Sequence, residues 1–340
     1  MKRYNNLYEK IYSIENLRLA DAVARRGKLD QPGIRKHDEN REANLLELQG
    51  MIKSKTYRTG EYKKFIVKEP KIREISCLEY FPHRILHHAI MNVIEPILVP
   101  TFTADSYSNI KGKGIDAACN ALKRALCDLS GTKYFLKLDI QKFYPSIDHD
   151  ILKKLLRRKI KDNDLLELLD GIIDSASGVP IGNYLSQYFS NLYLTPLDHF
   201  IKEQLRVKRY YRYADDIVIL AADKPYLHVL LGEIRNYLTI NLNLTIKKNY
   251  KVWPTSEGID FLGSVFRHTH IRMRKRIKEN FAKEVAGPNR PQVIAGFMGW
   301  AKRTNSKRLV EKLTLCSTLK TSTLQQKRKD MREIKLRQSA

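Results

Sequence analysis

The segment Tyr210-Tyr211-Arg212-Tyr213-Ala214-Asp215-Asp216-Ile217-Val218-Ile219-Leu220 constrains this chain more than any other. Aromatic residues lead in and β-branched residues lead out, the composition of two short strands. Two adjacent carboxylates stand between them. Neighbouring strand side chains point to opposite faces, but a tight turn can bring both acids near one point. Two acids between apolar strands repel each other and are costly to bury. A divalent cation removes both costs. Hard oxygen ligands suit Mg²⁺, which takes one or two carboxylates together with substrate phosphates. The alternative is a surface hairpin with an acidic tip, and Tyr213 to Asp216 alone do not choose between the two.

A second acid sits at another strand end. Lys133 to Ile140 reads as a strand with Leu136, Leu138 and Ile140 on one face and Phe135, Lys137 and Asp139 on the other. Cations held by acids from separate strands are the apparatus of in-line phosphoryl transfer. Charge points the same way. The chain carries a formal net charge of +25, and such a surface attracts polyanions, nucleic acid first. From Ile271 to Ala340 there are 19 Lys and Arg against 5 Asp and Glu, a net of +14. An anionic membrane is the second candidate, but no polybasic segment adjoins a long apolar span. A polymerase or a nuclease fits these features.

The remaining chain reads as alternating helices and short strands, with no internal repeat. Residues 4–27, 39–53, 82–98, 115–127, 165–173, 183–198 and 226–237 carry helical spacing. Tyr62 to Val67, Lys71 to Ile75, Leu244 to Ile246 and Gly258 to Gly263 read as strands. Ala286 to Pro291 marks a boundary before a basic, mostly helical tail. His83 and His87 share a helix face at i,i+4, yet no metalloprotease acid accompanies them, which favours packing or RNA contact over a metal. In Ser106 to Gly114, two lysines and two glycines let the backbone approach a polyanion. The four cysteines form no CxxC pair and read as buried thiols in a reducing compartment. Neither a signal peptide nor a membrane-length apolar run is visible, so the expected location is intracellular, in the cytoplasm.

Four segments, in order, resemble reverse transcriptase motifs. Phe135 to Tyr144 looks like motif A, Gly178 to Gln187 like motif B and Tyr213-Ala214-Asp215-Asp216 like motif C. Gly258 to Gly263 resembles the region leading into the primer grip. The match covers roughly residues 60 to 270. Three features resemble the reverse transcriptases of diversity-generating retroelements, within the group II intron-like superfamily: the Lys-Gly-Lys-Gly loop, Ile181-Gly182-Asn183 followed by Ser186-Gln187, and the short chain. The other signatures that retron enzymes usually carry are not found. Ala214 departs from the diversity-generating group, which often has Val there, and this leaves group II intron-like enzymes open, so a group II intron-like or retron-like defence enzyme is the second reading.

The resemblance implies an α+β right-hand polymerase fold. It would have an N-terminal helical extension (1–60), fingers (61–134, with part of 150–185), a palm with an antiparallel sheet (135–270) and a basic helical thumb (271–340). It implies two Mg²⁺ ions, with Mn²⁺ as a substitute, held by Asp139, Asp215 and the Ile140 carbonyl, with Asp216 in support. Lys71 and Arg73 match the strand that grips the triphosphate. Tyr144 takes the place of the steric gate against ribonucleotides; the alternative is a core aromatic. Gln187 braces the templating region. Lys248, or Lys247 in its stead, is where the family keeps a lysine that protonates pyrophosphate. Ile181 replaces a Gln of accurate relatives, which suggests errors opposite template adenines; the alternative is turn packing. The implied partners are template-repeat RNA, the RNA/cDNA duplex, dNTPs and a small basic oligomeric accessory protein. A non-catalytic RNA-binding scaffold is the reading from another class, against which the three intact acids argue.

Overall fold

The computed structural model describes residues 2–68, 72–285 and 290–313. Helices α1 (Tyr8–Tyr12), α2 (Ile14–Ala24), α3 (Pro32–Asp38) and α4 (Arg41–Lys53) precede strands β1 (Lys63–Val67) and β2 (Arg73–Cys77). Then come α5 (Ile85–Leu98), α6 (Ile115–Ala125), β3 (Tyr134–Asp139), α7 (His149–Arg157), α8 (Asn163–Ile173) and α9 (Tyr184–His199). Strands β4 (Tyr210–Tyr213) and β5 (Asp216–Ala221), helix α10 (Lys224–Leu242) and strands β6 (Lys251–Pro254), β7 (Ile259–Phe261), β8 (Ser264–Phe266) and β9 (Ile271–Met273) follow. Helices α11 (Lys275–Glu284) and α12 (Arg290–Arg303) come next, and residues 307–313 are helical. The result is mixed α+β, and β1 with β2, β4 with β5, and β8 with both β7 and β9 pair antiparallel.

The described residues up to 114, with 137–219 and 225–251, form one compact unit. At its N-terminal end the single helix expected over 4–27 is two helices. Ser13 stands between them in an extended conformation, and its hydroxyl accepts from Asn16 N to start α2. Helix α3, opened by Pro32 in its first turn, is not legible as a helix in the sequence pattern. Asp162 caps two helices at once. Its Oδ1 accepts from Leu165 N at the start of α8, and its Oδ2 accepts from Leu7 N and Tyr8 N at the start of α1. Ile11, Leu17, Leu45, Ile85 and Ile90 are fully buried beneath these helices. His87, expected to pack or to contact RNA, is buried on α5, and so is His88. Burial pushes His87 down to about 3 and His88 down to about 4, and the His88 ring stacks on Tyr184 at 3.9 Å.

Strands β1 and β2 pair antiparallel from Lys63↔Cys77 to Val67↔Arg73. A four-stranded sheet has the order β4-β5-β3-β6. The segment Leu244 to Ile246, expected as a strand, makes only an isolated bridge between Ile246 and Ile140, because a turn at 248–249 ends the pairing.

The second unit comprises residues 115–136, 220–224 and the described residues from 252 onward. Here β7, β8 and β9 form an antiparallel meander. The β7–β8 turn is Leu262-Gly263, both at positive φ (49° and 82°), as a two-residue hairpin with the right-handed twist requires. Phe281, Val285, Ala301 and Val310 make a core of their own, with Phe281 and Phe297 at 4.4 Å. The expected helical tail is seen as α11 and α12; residues 286–289 and 314–340 lie outside the described residues. Of the thiols expected to be buried, Cys119 is, whereas Cys77 and Cys127 are exposed; Cys316 lies outside the described residues. No described helix is long and apolar enough to cross a membrane.

Candidate active site

The acidic hairpin forms as its composition demands. Strands β4 and β5 pair from Tyr210↔Ile219 to Tyr213↔Asp216, which leaves Ala214 and Asp215 as a two-residue turn. Ala214 adopts φ 53°, a conformation that costs an L side chain free energy and must be held by its surroundings. Tyr210, Ile217, Val218 and Ile219 are fully buried, so the turn projects from a rigid base.

Asp139 ends β3 and comes within hydrogen-bonding reach of Asp215. Burial first, then the Asp139 charge and a shared hydrogen bond, push Asp215 up to about 6. A cation bound between two such carboxyls would offset their mutual repulsion. Asp139 Oδ1 is a buried oxygen whose contact with the Lys247 ammonium lacks hydrogen-bond geometry. The backbone adds a third oxygen. Gln141 N donates to Thr245 O and Lys247 N donates to Asp139 O, on either side of the Ile140–Ile246 bridge. In such a pair the bridged residues turn their own carbonyls away from each other, so the Ile140 carbonyl faces away from the 244–247 segment. These donors fit Mg²⁺, which binds through few protein oxygens and completes its shell with phosphate and water. Among the described residues, no three His, Cys, Asp or Glu side chains converge on one point.

Two lysines attend the acids. Lys247 Nζ lies 2.7 Å from Asp139 Oδ1, whereas Lys248 is exposed. Of the two candidates the structure therefore brings Lys247 to the site. Lys137 Nζ lies 3.4 Å from Asp216 Oδ1, so Asp216 is partly neutralised by protein. Lys137 was missed, although its place two residues before Asp139 on the same strand face was a usable signal.

Motif B is a turn pinned by close backbone approach. A Cβ at Gly178 (φ 61°) would lie 2.5 Å from Tyr144 O, and Val179 N donates to that same oxygen at 3.0 Å. A Cβ at Gly182 (φ 125°) would lie 2.3 Å from Ser76 O, and Ser76 N donates to Ile181 O at 2.7 Å. Asn183 Nδ2 donates to Tyr62 Oη at 2.9 Å. The turn is thus clamped between the segment after β3 and strand β2. Tyr144 is half-buried, its hydroxyl 3.5 Å from Ser190 Oγ. Burial pushes its phenol up, Asp215 adds to that, and the Ser190 hydroxyl and the Arg73 charge oppose. Tyr144 therefore lies in electrostatic reach of both Asp215 and Arg73. Arg73 is exposed at the start of β2, Ile181 is half-buried and Gln187 is exposed. Lys71 lies outside the described residues.

The Ser106–Gly114 loop corrects an expectation. Lys113 is turned inward, donating to the carbonyls of Thr103, Ala104 and Ser106 at 3.3, 2.8 and 2.9 Å. Its three donors close the loop; Lys111 alone of the pair is exposed. Free carbonyls in a tight loop need donors, and an ammonium supplies three.

The structure thus brings together paired strand-end carboxylates, an adjacent lysine and a clamped glycine turn. The family model described as reverse transcriptase (RNA-dependent DNA polymerase) matches residues 63–266, more than half of the chain. The chain belongs to this family. Among curated relatives, protein YkfC of Escherichia coli K12 is 26% identical over 243 residues, covering 58% of this chain and 62% of that one. The retron Ec73 reverse transcriptase of Escherichia coli is 26% identical over 223 residues, covering 58% and 69%. The group II intron-encoded protein LtrA of Lactococcus lactis subsp. cremoris is 24% identical over 218 residues, covering 60% and 34%. The chain thus spans less than two thirds of YkfC and about a third of LtrA.

Proposed function

We propose that the protein is an RNA-directed DNA polymerase whose centre is Asp139, Asp215 and the Ile140 carbonyl. The observation that carries this is the approach of Asp139 to Asp215, a pair of carboxyls that a divalent cation would stabilise. Mg²⁺ bound there would lower the pKa of the primer hydroxyl and stabilise charge on the phosphates. The chain's own groups do the rest. Asp216 is balanced by Lys137, and Lys247 supplies a proton to the departing pyrophosphate. Arg73, with Lys71, grips the triphosphate; Arg suits bidentate phosphate contact. The Tyr144 ring lies beneath the sugar and excludes a 2′-hydroxyl. Residues 61–134 and 135–270 serve as fingers and palm, and the basic chain from 271 as thumb along the RNA/cDNA duplex.

The finer reading is a diversity-generating enzyme that copies a template-repeat RNA with errors opposite adenine. Ile181 supports it: a branched apolar side chain cannot offer the hydrogen bond of a Gln. A small basic oligomeric accessory protein belongs to this reading. The retron and group II intron relatives favour the alternative of a group II intron-like or retron-like reverse transcriptase. Copying a defined RNA with Mg²⁺, with and without accessory protein, and sequencing the cDNA separates them. Substitutions concentrated opposite adenines, reduced in Ile181→Gln, support the finer reading. Faithful products, or an adenine error rate unchanged in Ile181→Gln, remove Ile181 from it.

A further inference from the structure

Arg212 is wholly buried in β4, two residues before the turn that carries Asp215. Its guanidinium is saturated. Nε donates to Asp198 Oδ1 at 2.7 Å and Nη2 to Asp198 Oδ2 at 2.6 Å. Nη2 also reaches Ser106 Oγ at 2.8 Å, and Nη1 reaches Asn191 Oδ1 at 3.1 Å. Nη1 also donates to the carbonyl of Ala214 at 3.1 Å. Asp198 in turn accepts from Tyr210 Oη at 2.6 Å and Ser106 Oγ at 2.8 Å. The backbone repeats the attachment: Arg212 N donates to Asp105 O, and Tyr107 N donates to Arg212 O.

A buried ion pair contributes little net stability by itself, because desolvation offsets the attraction. What this pair does accomplish is geometric. Ala214 stands in a backbone conformation that needs external restraint, and Arg212 holds its carbonyl. We propose that Arg212 is a positioning residue for Asp215, its guanidinium, neutralised by Asp198, fixing the Ala214 carbonyl and with it the catalytic turn. The proposal rests on Asp215 being a metal ligand, as argued above. A lysine keeps the charge opposite Asp198 but has no planar fork to span both Asp198 and Ala214. The sequence signal was a lone charge among the tyrosines of an apolar strand.

Arg212→Lys tests this, with Asp215→Ala as control. Mn²⁺ binding is read by electron paramagnetic resonance, folding by circular dichroism, and primer extension gives kcat and the KM for dNTP. Folded Arg212→Lys is expected to lose about 10- to 100-fold in Mn²⁺ affinity and kcat, the range for residues that orient metal ligands. The KM for dNTP should stay within about twofold, since no substrate contact is lost. Should Arg212→Lys not fold, Asn191→Ala keeps the Arg212–Asp198 pair and removes the side-chain partner that helps hold Nη1 at the Ala214 carbonyl, and the same pattern is expected. Wild-type Mn²⁺ affinity and kcat in the folded variant overturn the positioning role. Mn²⁺ binding indifferent to Asp215→Ala overturns the metal site, and this proposal with it.

Discussion

The Lys247 ammonium lies 2.7 Å from the Asp139 carboxylate, and the backbone of the same two residues is joined by a hydrogen bond from Lys247 N to Asp139 O. The side chain is therefore held beside the acids by its own main chain. Lys248, one residue on, is exposed. Lys247→Ala is expected to lower single-nucleotide incorporation by about 100-fold or more, the scale of a lost general acid. Lys248→Ala should stay within about twofold. Rapid-quench incorporation on a primed RNA template measures both; the reverse ranking would return the role to Lys248.

Tyr144 is braced at its carbonyl by Val179 N and at its ring by burial. Tyr144→Ala should admit ribonucleotides, narrowing dNTP over rNTP selectivity by about tenfold or more, whereas Tyr144→Phe should keep it. Competition between dNTP and rNTP in primer extension reads this. Unchanged sugar selection in Tyr144→Ala would make the ring a packing element only.

Gly182→Ala should cost about 1–3 kcal/mol or more, since the new Cβ would meet Ser76 O at 2.3 Å in a backbone region unsuited to it. Gly112→Ala, at φ 79° with nothing within 4 Å, should cost only the conformational strain, about 1 kcal/mol. Denaturant melts of the two variants give the comparison. Equal losses would show that motif B is not clamped on β2.

Asp21 is fully buried, and burial pushes its carboxyl up, but hydrogen bonds from Tyr80, Arg25 and Arg41 outweigh this and hold it below the ordinary range. A lowered carboxyl pKa stabilises the fold above the unfolded value, about 3.9. That contribution is lost as pH falls through the lower folded value. Asp21→Asn is expected to cost about 3–5 kcal/mol near neutral pH, because Arg25 and Arg41 lose their partner. The gap to wild type should shrink in acid. Urea melts from neutral pH to about pH 3 test this; a gap independent of pH would contradict it.

The sequence revealed the site where chemistry and period coincided. The acidic tip of β4–β5, the strand ending in Asp139 and the glycine turn each carry a local pattern strong enough to place them. Tertiary partners were less legible. That Lys113 turns inward depends on three carbonyls converging, which no spacing encodes. That Asp162 caps α1 as well as α8 joins residues more than 150 apart. The break at Ser13 was readable as a cap residue, but the apolar spacing on either side outweighed it. Leu244 to Ile246 has strand composition, yet the turn after it leaves room for one bridge.

The most direct test is cDNA synthesis on a defined RNA template with Mg²⁺, run side by side for the wild type and Asp215→Ala, with RNA affinity measured on the same preparations. The expected result is product from the wild type, none from Asp215→Ala, and equal RNA binding. Product from Asp215→Ala would remove Asp215 from the centre. RNA binding without product from the wild type, with and without accessory protein, would contradict the polymerase assignment and favour an RNA-binding scaffold.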